Sequence, residues 1–191
     1  GIDLSQEFVN YANQKTLSYN KYSVIQQNDM RNFKHNIKYD IIFIGFNSFL
    51  HLLNEEDASQ CLKCILKHMH KTTYLYIDIF VPHPLFLTRP ANHQVDVIEF
   101  FDSSIKETAK IKETIIYDIE TEIVDVNWYY YKSLQKKEYN QFNFKMKMYY
   151  PDTMNRMLVD LGFFIENIWG SYACDPFNGN ISNLQIYQCH I

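Results

Sequence analysis

Gly1-Ile2-Asp3-Leu4-Ser5 reads as the end of a β-strand, an acidic residue at its tip, and a helix N-cap. A carboxylate in that place is how nucleotide-binding α/β folds hold the two hydroxyls of a ribose. In such folds a glycine-rich turn precedes the acid by about 20 residues. The five glycines, Gly1, Gly45, Gly162, Gly170 and Gly179, make no G-x-G. The expectation is therefore a chain that begins mid-fold, with its N-terminal strand and half of the usual cradle missing.

Working outward, Ser5 caps a helix to about Gln14, with Phe8, Val9, Tyr11 and Ala12 as its buried side. A short strand is expected over residues 22–26, then a loop at Asn28-Asp29-Met30. Tyr39-Asp40-Ile41-Ile42-Phe43-Ile44-Gly45 is a near-continuous apolar run, as expected of a central strand covered on both faces. Asn54 and Asp57 make a capping box, and Ala58, Cys61, Leu62, Ile65, Leu66 and Met69 continue at helical spacing to His70. Residues 74–80 form the next strand, closed by Val81-Pro82-His83-Pro84. Apolar runs alternating with helical patterns predict a parallel sheet with crossover helices.

From residue 112 to 150 the period becomes two. Ile115, Tyr117, Ile119 and Ile123 alternate with Asp118, Glu120 and Glu122, and Phe142, Phe144, Met146 and Met148 with Asn143, Lys145 and Lys147. Trp128-Tyr129-Tyr130-Tyr131 lies between them, with Gln135-Lys136-Lys137 as the turn. Pro151 opens a helix that Gly162 stops, and residues 163–169 and 184–190 read as closing strands that make an antiparallel edge. The expected organisation is a doubly wound α/β core over 1–82, an inserted antiparallel lobe over 83–150 lying across the carboxyl ends of the parallel strands, and a return to the core over 151–191.

With 191 residues and 47% hydrophobic content, the chain can bury a core of its own. A net charge of -4 with scattered basic residues argues against a nucleic-acid surface. No apolar run reaches the ~20 residues of a membrane span. Four cysteines, at 61, 64, 174 and 189, form no dense disulfide framework, which points to a reducing cytoplasm.

Four stretches in register, Gly1 to Ser5, Gln27-Asn28-Asp29-Met30-Arg31, Tyr39 to Ile44 followed by Phe46-Asn47-Ser48-Phe49-Leu50-His51, and Tyr76-Ile77-Asp78-Ile79-Phe80, resemble the class I S-adenosylmethionine-dependent methyltransferases. The small-molecule enzymes that carry an antiparallel lobe, sugar-amine N-methyltransferases among them, are the nearest in pattern. The resemblance implies a Rossmann-like methyltransferase sheet with S-adenosyl-L-methionine as cofactor and a small-molecule acceptor, nitrogen favoured over oxygen. It implies that Asp3 accepts from the ribose hydroxyls with Leu4 against the adenine, and that Asp29 accepts from the adenine amino group with Met30 beside the ring. It places Phe46 beside the methionine moiety and Asn47, Ser48 and His51 toward the donor methyl or the acceptor. His51 is the nearest candidate base.

The chain departs from the family in the missing glycine turn and in Lys71-Thr72-Thr73, which stands where a glycine pair is usual. An open sheet edge would be filled by a second chain, as in a homodimer, by a swapped segment, or by about 50 preceding residues. A non-catalytic methyltransferase-like subunit is the alternative reading.

Trp128, Tyr130 and Tyr150 are expected to contact substrate, although alternation sends about half of any aromatic run to the core. Cys61, Cys64, His68 and His70 have the look of a metal set, but all fall on one predicted helix and no second C-x-x-C follows, so no metal is expected. Asp78 and Asp40 read as strand-end polar contacts, Glu120 and Glu122 as a solvated face, and residues 132–137 as a hairpin tip.

Overall fold

A computed structural model describes residues 1–17, 24–133 and 137–191. Gln135 and Lys136 of the expected turn, and Tyr22 and Ser23 of the expected strand, lie outside the described residues. In order, the elements are β1 (Ile2–Asp3), α1 (Gln6–Thr16), β2 (Gln26–Gln27), β3 (Tyr39–Ile44), a 3-10 turn (Ser48–His51), α2 (Glu55–Leu66), β4 (Met69–Phe80) and α3 (Pro84–Leu87). Next come β5 (Val95–Asp102), β6 (Glu107–Asp118), β7 (Ile123–Lys132), β8 (Lys137–Lys147), α4 (Pro151–Asp160), β9 (Phe164–Trp169) and β10 (Leu184–His190).

Caps fix the helices. The Ser5 hydroxyl accepts from the Phe8 N–H, and Asn54 Oδ1 accepts from the Asp57 N–H at 2.8 Å. Glu55, Glu56 and Asp57 fill the first turn of α2, where the helix dipole favours negative charge. Pro151 opens α4, and Gly162 follows it at φ +87°, a backbone that a side chain would strain.

Three sheets result: a parallel β1–β2 pair, a mixed sheet in the order β3-β4-β10-β9, and an antiparallel sheet in the order β5-β6-β7-β8. β3 runs parallel to β4, while β10 is antiparallel to both β4 and β9. α2 and α4 cover one face of the mixed sheet, packing Cys61, Leu62, Met157 and Leu158 on Leu75, Ile77 and Tyr187. The same core continues into the lobe through Ile115, Val124 and Val126.

Several expectations are corrected. On α1 only Val9 is buried, and Phe8 and Tyr11 are exposed, because the helix packs on a pair of two-residue strands and needs one narrow stripe. β3 is an edge strand and not a central one. Ile42 and Ile44 face the helices, whereas Ile41 and Phe43 lie on the uncovered face at 61% and 76% exposure. β1 and β2 stand apart from β3 and β4 instead of sharing one sheet, and no described strand joins the two sets.

α2 ends at Leu66, short of His70, because β3 captures the residues just beyond it. The Tyr39 N–H donates to the His68 carbonyl at 2.9 Å, and the Thr73 hydroxyl donates to the Tyr39 carbonyl. Lys71-Thr72-Thr73 accordingly lies in the irregular start of β4, where the register jumps from Tyr39↔Met69 to Ile41↔Tyr74. His70 is thus on a strand while Cys61 and Cys64 are buried in a helix. Among the described residues no cluster of three or more metal-ligating side chains forms. Ile119 to Glu122 form the β6–β7 turn, and Glu122 pairs with Lys147 at 2.8 Å instead of standing on a solvated face. α3 and β5, which the sequence does not signal, fill the stretch after Pro84. Among the described residues no helix is long and apolar enough to cross a membrane.

Candidate active site

Two groups of the expected site residues come together at strand tips. Asp3 ends β1, and Asp29 lies two residues beyond the end of its neighbour β2: β1 and β2 pair Asp3 with Gln27, the Asn28 N–H donates to the Asp3 carbonyl, and Gln27 Nε2 donates to the Leu4 carbonyl. Asp3 is exposed, and one of its oxygens accepts from the Ser5 N–H at 2.7 Å. The other has no protein partner among the described residues. Leu4 is exposed beside it and Met30 packs against the core.

Asp29 is different. Its carboxylate accepts from the Arg31 N–H, Nε and NH2, the last at 2.6 Å, and Arg31 reaches on to Asp57 in the first turn of α2 at 3.1 Å. These bonds hold the Asp29 carboxyl below the usual carboxylate range, with the Arg31 side-chain hydrogen bond the largest cause. They also fill most of its acceptor capacity.

The second group comes after β3. Phe46 and Asn47 are consecutive non-glycine residues at φ 52° and 62°, a conformation that costs free energy and persists only where the surroundings enforce it. β4 enforces it here. The Phe46 N–H donates to Asp78 Oδ2 at 3.2 Å, the Asn47 N–H to the Asp78 carbonyl at 3.1 Å, and the Phe80 N–H to Asn47 Oδ1 at 2.8 Å. Tyr172 adds its hydroxyl to Asp78 Oδ2 at 2.7 Å. The outcome is a Phe46 ring 90% exposed at the mouth of the strand. Asn47 and Ser48 are spent on holding this turn, Ser48 by donating to the Gly45 carbonyl.

The turn runs into the 3-10 segment, where His51 meets the lobe. Its Nδ1 lies 3.2 Å from the Lys145 carbonyl, and because a carbonyl only accepts, Nδ1 carries the proton. Nε2 then holds the lone pair and has no partner among the described residues.

From His51 a chain of contacts closes back on Asn47. The His51 ring lies 5.9 Å from Phe144, and Phe144 meets Trp128 edge-on at 5.1 Å. Trp128 Nε1 donates to Glu113 Oε2 at 3.0 Å, and Arg89 NH2 donates to Glu113 Oε1 at 2.6 Å. Arg89 lies over Phe86 at 4.8 Å, and Phe86 meets Phe80, whose N–H binds Asn47. Core, α3 and lobe are thus linked by one continuous ring of contacts, a rim that starts at the carboxyl end of β3.

Trp128 stands in this rim. Tyr130 shares its strand face but lies farther out, near Tyr139, and burial raises its phenol. Tyr150 stands at the N-cap position of α4, and its hydroxyl pairs with that of Tyr117 at 3.2 Å. Asp78 is the polar contact it was expected to be, here to the turn after β3, whereas Glu113 and Arg89 escaped the sequence reading, since they act on partners 15 and 24 positions away. The only local signal was the acid inside an apolar strand at Asp78.

Removing Asp78's carboxylate tests the turn. Asp78→Ala is expected to lower stability by about 1–2 kcal/mol, the loss of hydrogen bonds to a charged acceptor at a strained turn. Urea unfolding would measure it, and an unchanged midpoint would mean the turn holds itself.

The architecture has counterparts among solved structures. All of the chain aligns with 73% of the CcbJ methyltransferase from Streptomyces caelestis, at a TM-score of 0.84 and 13% identity. The fold is that of the S-adenosylmethionine-dependent methyltransferases. A methyltransferase from Clostridium acetobutylicum aligns over the same shares, 100% and 73%, at a TM-score of 0.79 and 16% identity. The sugar N-methyltransferase KedS8 from a Streptoalloteichus species matches 98% of the chain with 69% of its own, at a TM-score of 0.71 and 13% identity. No protein-family model and no curated protein matches the sequence. The rim stands where an open α/β sheet takes its ligands, outside the carboxyl ends of the parallel strands.

Proposed function

We propose that the chain is a methyltransferase that uses S-adenosyl-L-methionine and methylates a small molecule, with a nitrogen acceptor favoured over oxygen. The observation that carries this reading is the closed rim from Asn47 to His51 around an enforced, strained turn. The similarity to a sugar N-methyltransferase supports the choice of nitrogen.

The residues suit the nucleoside half of the cofactor. Asp3 offers an exposed carboxylate with an unpartnered oxygen for the ribose hydroxyls, and Leu4, Met30 and Phe46 supply apolar surface for the base and the thioether arm. When bound, the cofactor supplies a methyl group on an already electrophilic sulfonium. The chain's own part is to orient the acceptor and exclude water, which the Trp128, Phe144 and Phe86 walls do, and to take a proton at His51 Nε2. Free thiols at all four cysteines, three of them buried, suit work in a reducing cytoplasm. One observation favours a second reading, a binding subunit without catalysis: Arg31 already occupies the Asp29 carboxylate that would receive the adenine amino group.

Calorimetric titration of S-adenosylhomocysteine decides between ligand-competent and ligand-free readings. Binding is expected, weakened about tenfold to thirtyfold by Asp3→Asn, as loss of one charge-assisted hydrogen bond requires. No heat with a well-folded protein would refute the cofactor assignment.

A further inference from the structure

We propose that the groove between α2 and the 31–36 loop is a binding site for a small multiply charged anion, a phosphate or pyrophosphate group. The groove has a volume of about 550 Å3 and lies at the amino ends of β3 and β4, opposite the rim. Lys34 lines it from the loop, and Lys63 and Lys67 line it from the last turns of α2. All three are exposed and none forms an ion pair within the described residues; Arg31 also lines the groove but is held by Asp29 and Asp57, which do not line it. In a chain of net charge -4, three unneutralised ammonium groups around one concavity make a local positive field that a compact anion would relieve. The helix dipole accounts for cations at the end of α2 but not for Lys34 across the groove.

The floor is preformed. Phe33 stacks on His68 at 4.3 Å, and Cys64 Sγ donates to the Phe33 carbonyl. His68 donates through Nδ1 to the Cys64 carbonyl at 2.8 Å and accepts at Nε2 from the His35 N–H. His68 is therefore fixed as the neutral tautomer, and the charge comes from the lysines. Asn32, Asn36 and Gln60 add neutral donors at the walls. The lining thus combines ammonium charge with amide donors, the pairing that phosphoryl oxygens take. Overall negative charge disfavours a long polyanion and leaves a small one.

Sodium pyrophosphate titrated into the full chain by calorimetry tests this, at two salt concentrations. The expected result is saturable 1:1 binding that weakens with added salt and falls about tenfold or more in Lys63→Gln/Lys67→Gln. Lys34→Gln, on the other wall, is the second variant and should also weaken binding. Absence of heat, or binding by both variants as tight as by the parent chain, overturns the site. A single-stranded oligonucleotide binding more tightly than pyrophosphate would overturn the small-anion assignment in favour of nucleic acid. None of these lysines belongs to the rim, so the result stands apart from that of the S-adenosylhomocysteine titration.

Discussion

Tyr149→Ala is expected to lower the unfolding free energy by about 3–5 kcal/mol, the range for deleting a buried aromatic side chain. Tyr149 is fully buried at the exit of the lobe, and its ring lies 5.1 Å from Phe49 of the 3-10 turn. Its single hydroxyl proton is shared between the Leu52 carbonyl at 2.6 Å and the Asn54 carbonyl at 3.1 Å, and its own carbonyl accepts from Gln185 Nε2 at 2.8 Å. One side chain thus joins lobe, 3-10 turn and the N-cap of α2. Tyr149→Phe separates the two contributions: it keeps the ring, leaves the Leu52 carbonyl without that donor, and should cost about 1–2 kcal/mol. Urea unfolding of both variants measures the difference, and equal losses would mean that ring packing contributes little.

pH supplies a second check on the same residue. Burial, the largest cause, raises the Tyr149 phenol above its ordinary value. The folded state therefore keeps its proton where the unfolded state, titrating near 10, has lost it. Its contribution is complete below about pH 10 and declines as pH rises toward the folded value. Tyr149→Phe should accordingly lose stability less steeply than the parent above pH 10.

How much was legible depends on the range of each signal. Ser5, Asn54, Pro151 and Gly162 act within three or four residues, and the helix ends that they set stand where they were expected. β5 was invisible because a register shift between Asp96 and Ile98 breaks the alternation that marks a strand. The end of α2 was overrun because Met69 continues the helical period, while the hydrogen bond that claims the chain for β4 comes from Tyr39, a distant partner. The site divides the same way. Asp3, Asp29 and His51 could be read from motif order. Glu113 became part of the rim only when β6 paired with β7 and set it opposite Trp128. The Asp29–Arg31 pair was adjacent in sequence, yet nothing local said that the arginine would turn back onto its own loop and also reach Asp57.

His51→Ala is expected to reduce kcat by about 10²–10⁴-fold, the span of a general base, while S-adenosylhomocysteine binding stays within about twofold. The reason is the fixed tautomer: with Nδ1–H held by the Lys145 carbonyl, Nε2 is the free lone pair at the rim. The assay is transfer of a labelled methyl from S-adenosyl-L-methionine to a panel of amino sugars and their hydroxyl analogues. A merely structural histidine would give the same loss if its hydrogen bond positioned the lobe, so His51→Asn is the deciding variant. Asparagine can still donate to the Lys145 carbonyl but offers no basic nitrogen. If His51→Asn is as inactive as His51→Ala, and added imidazole restores part of the rate to His51→Ala, the nitrogen is the base. If His51→Asn recovers parental kcat, the residue positions strand β8 and the acceptor loses its proton to water.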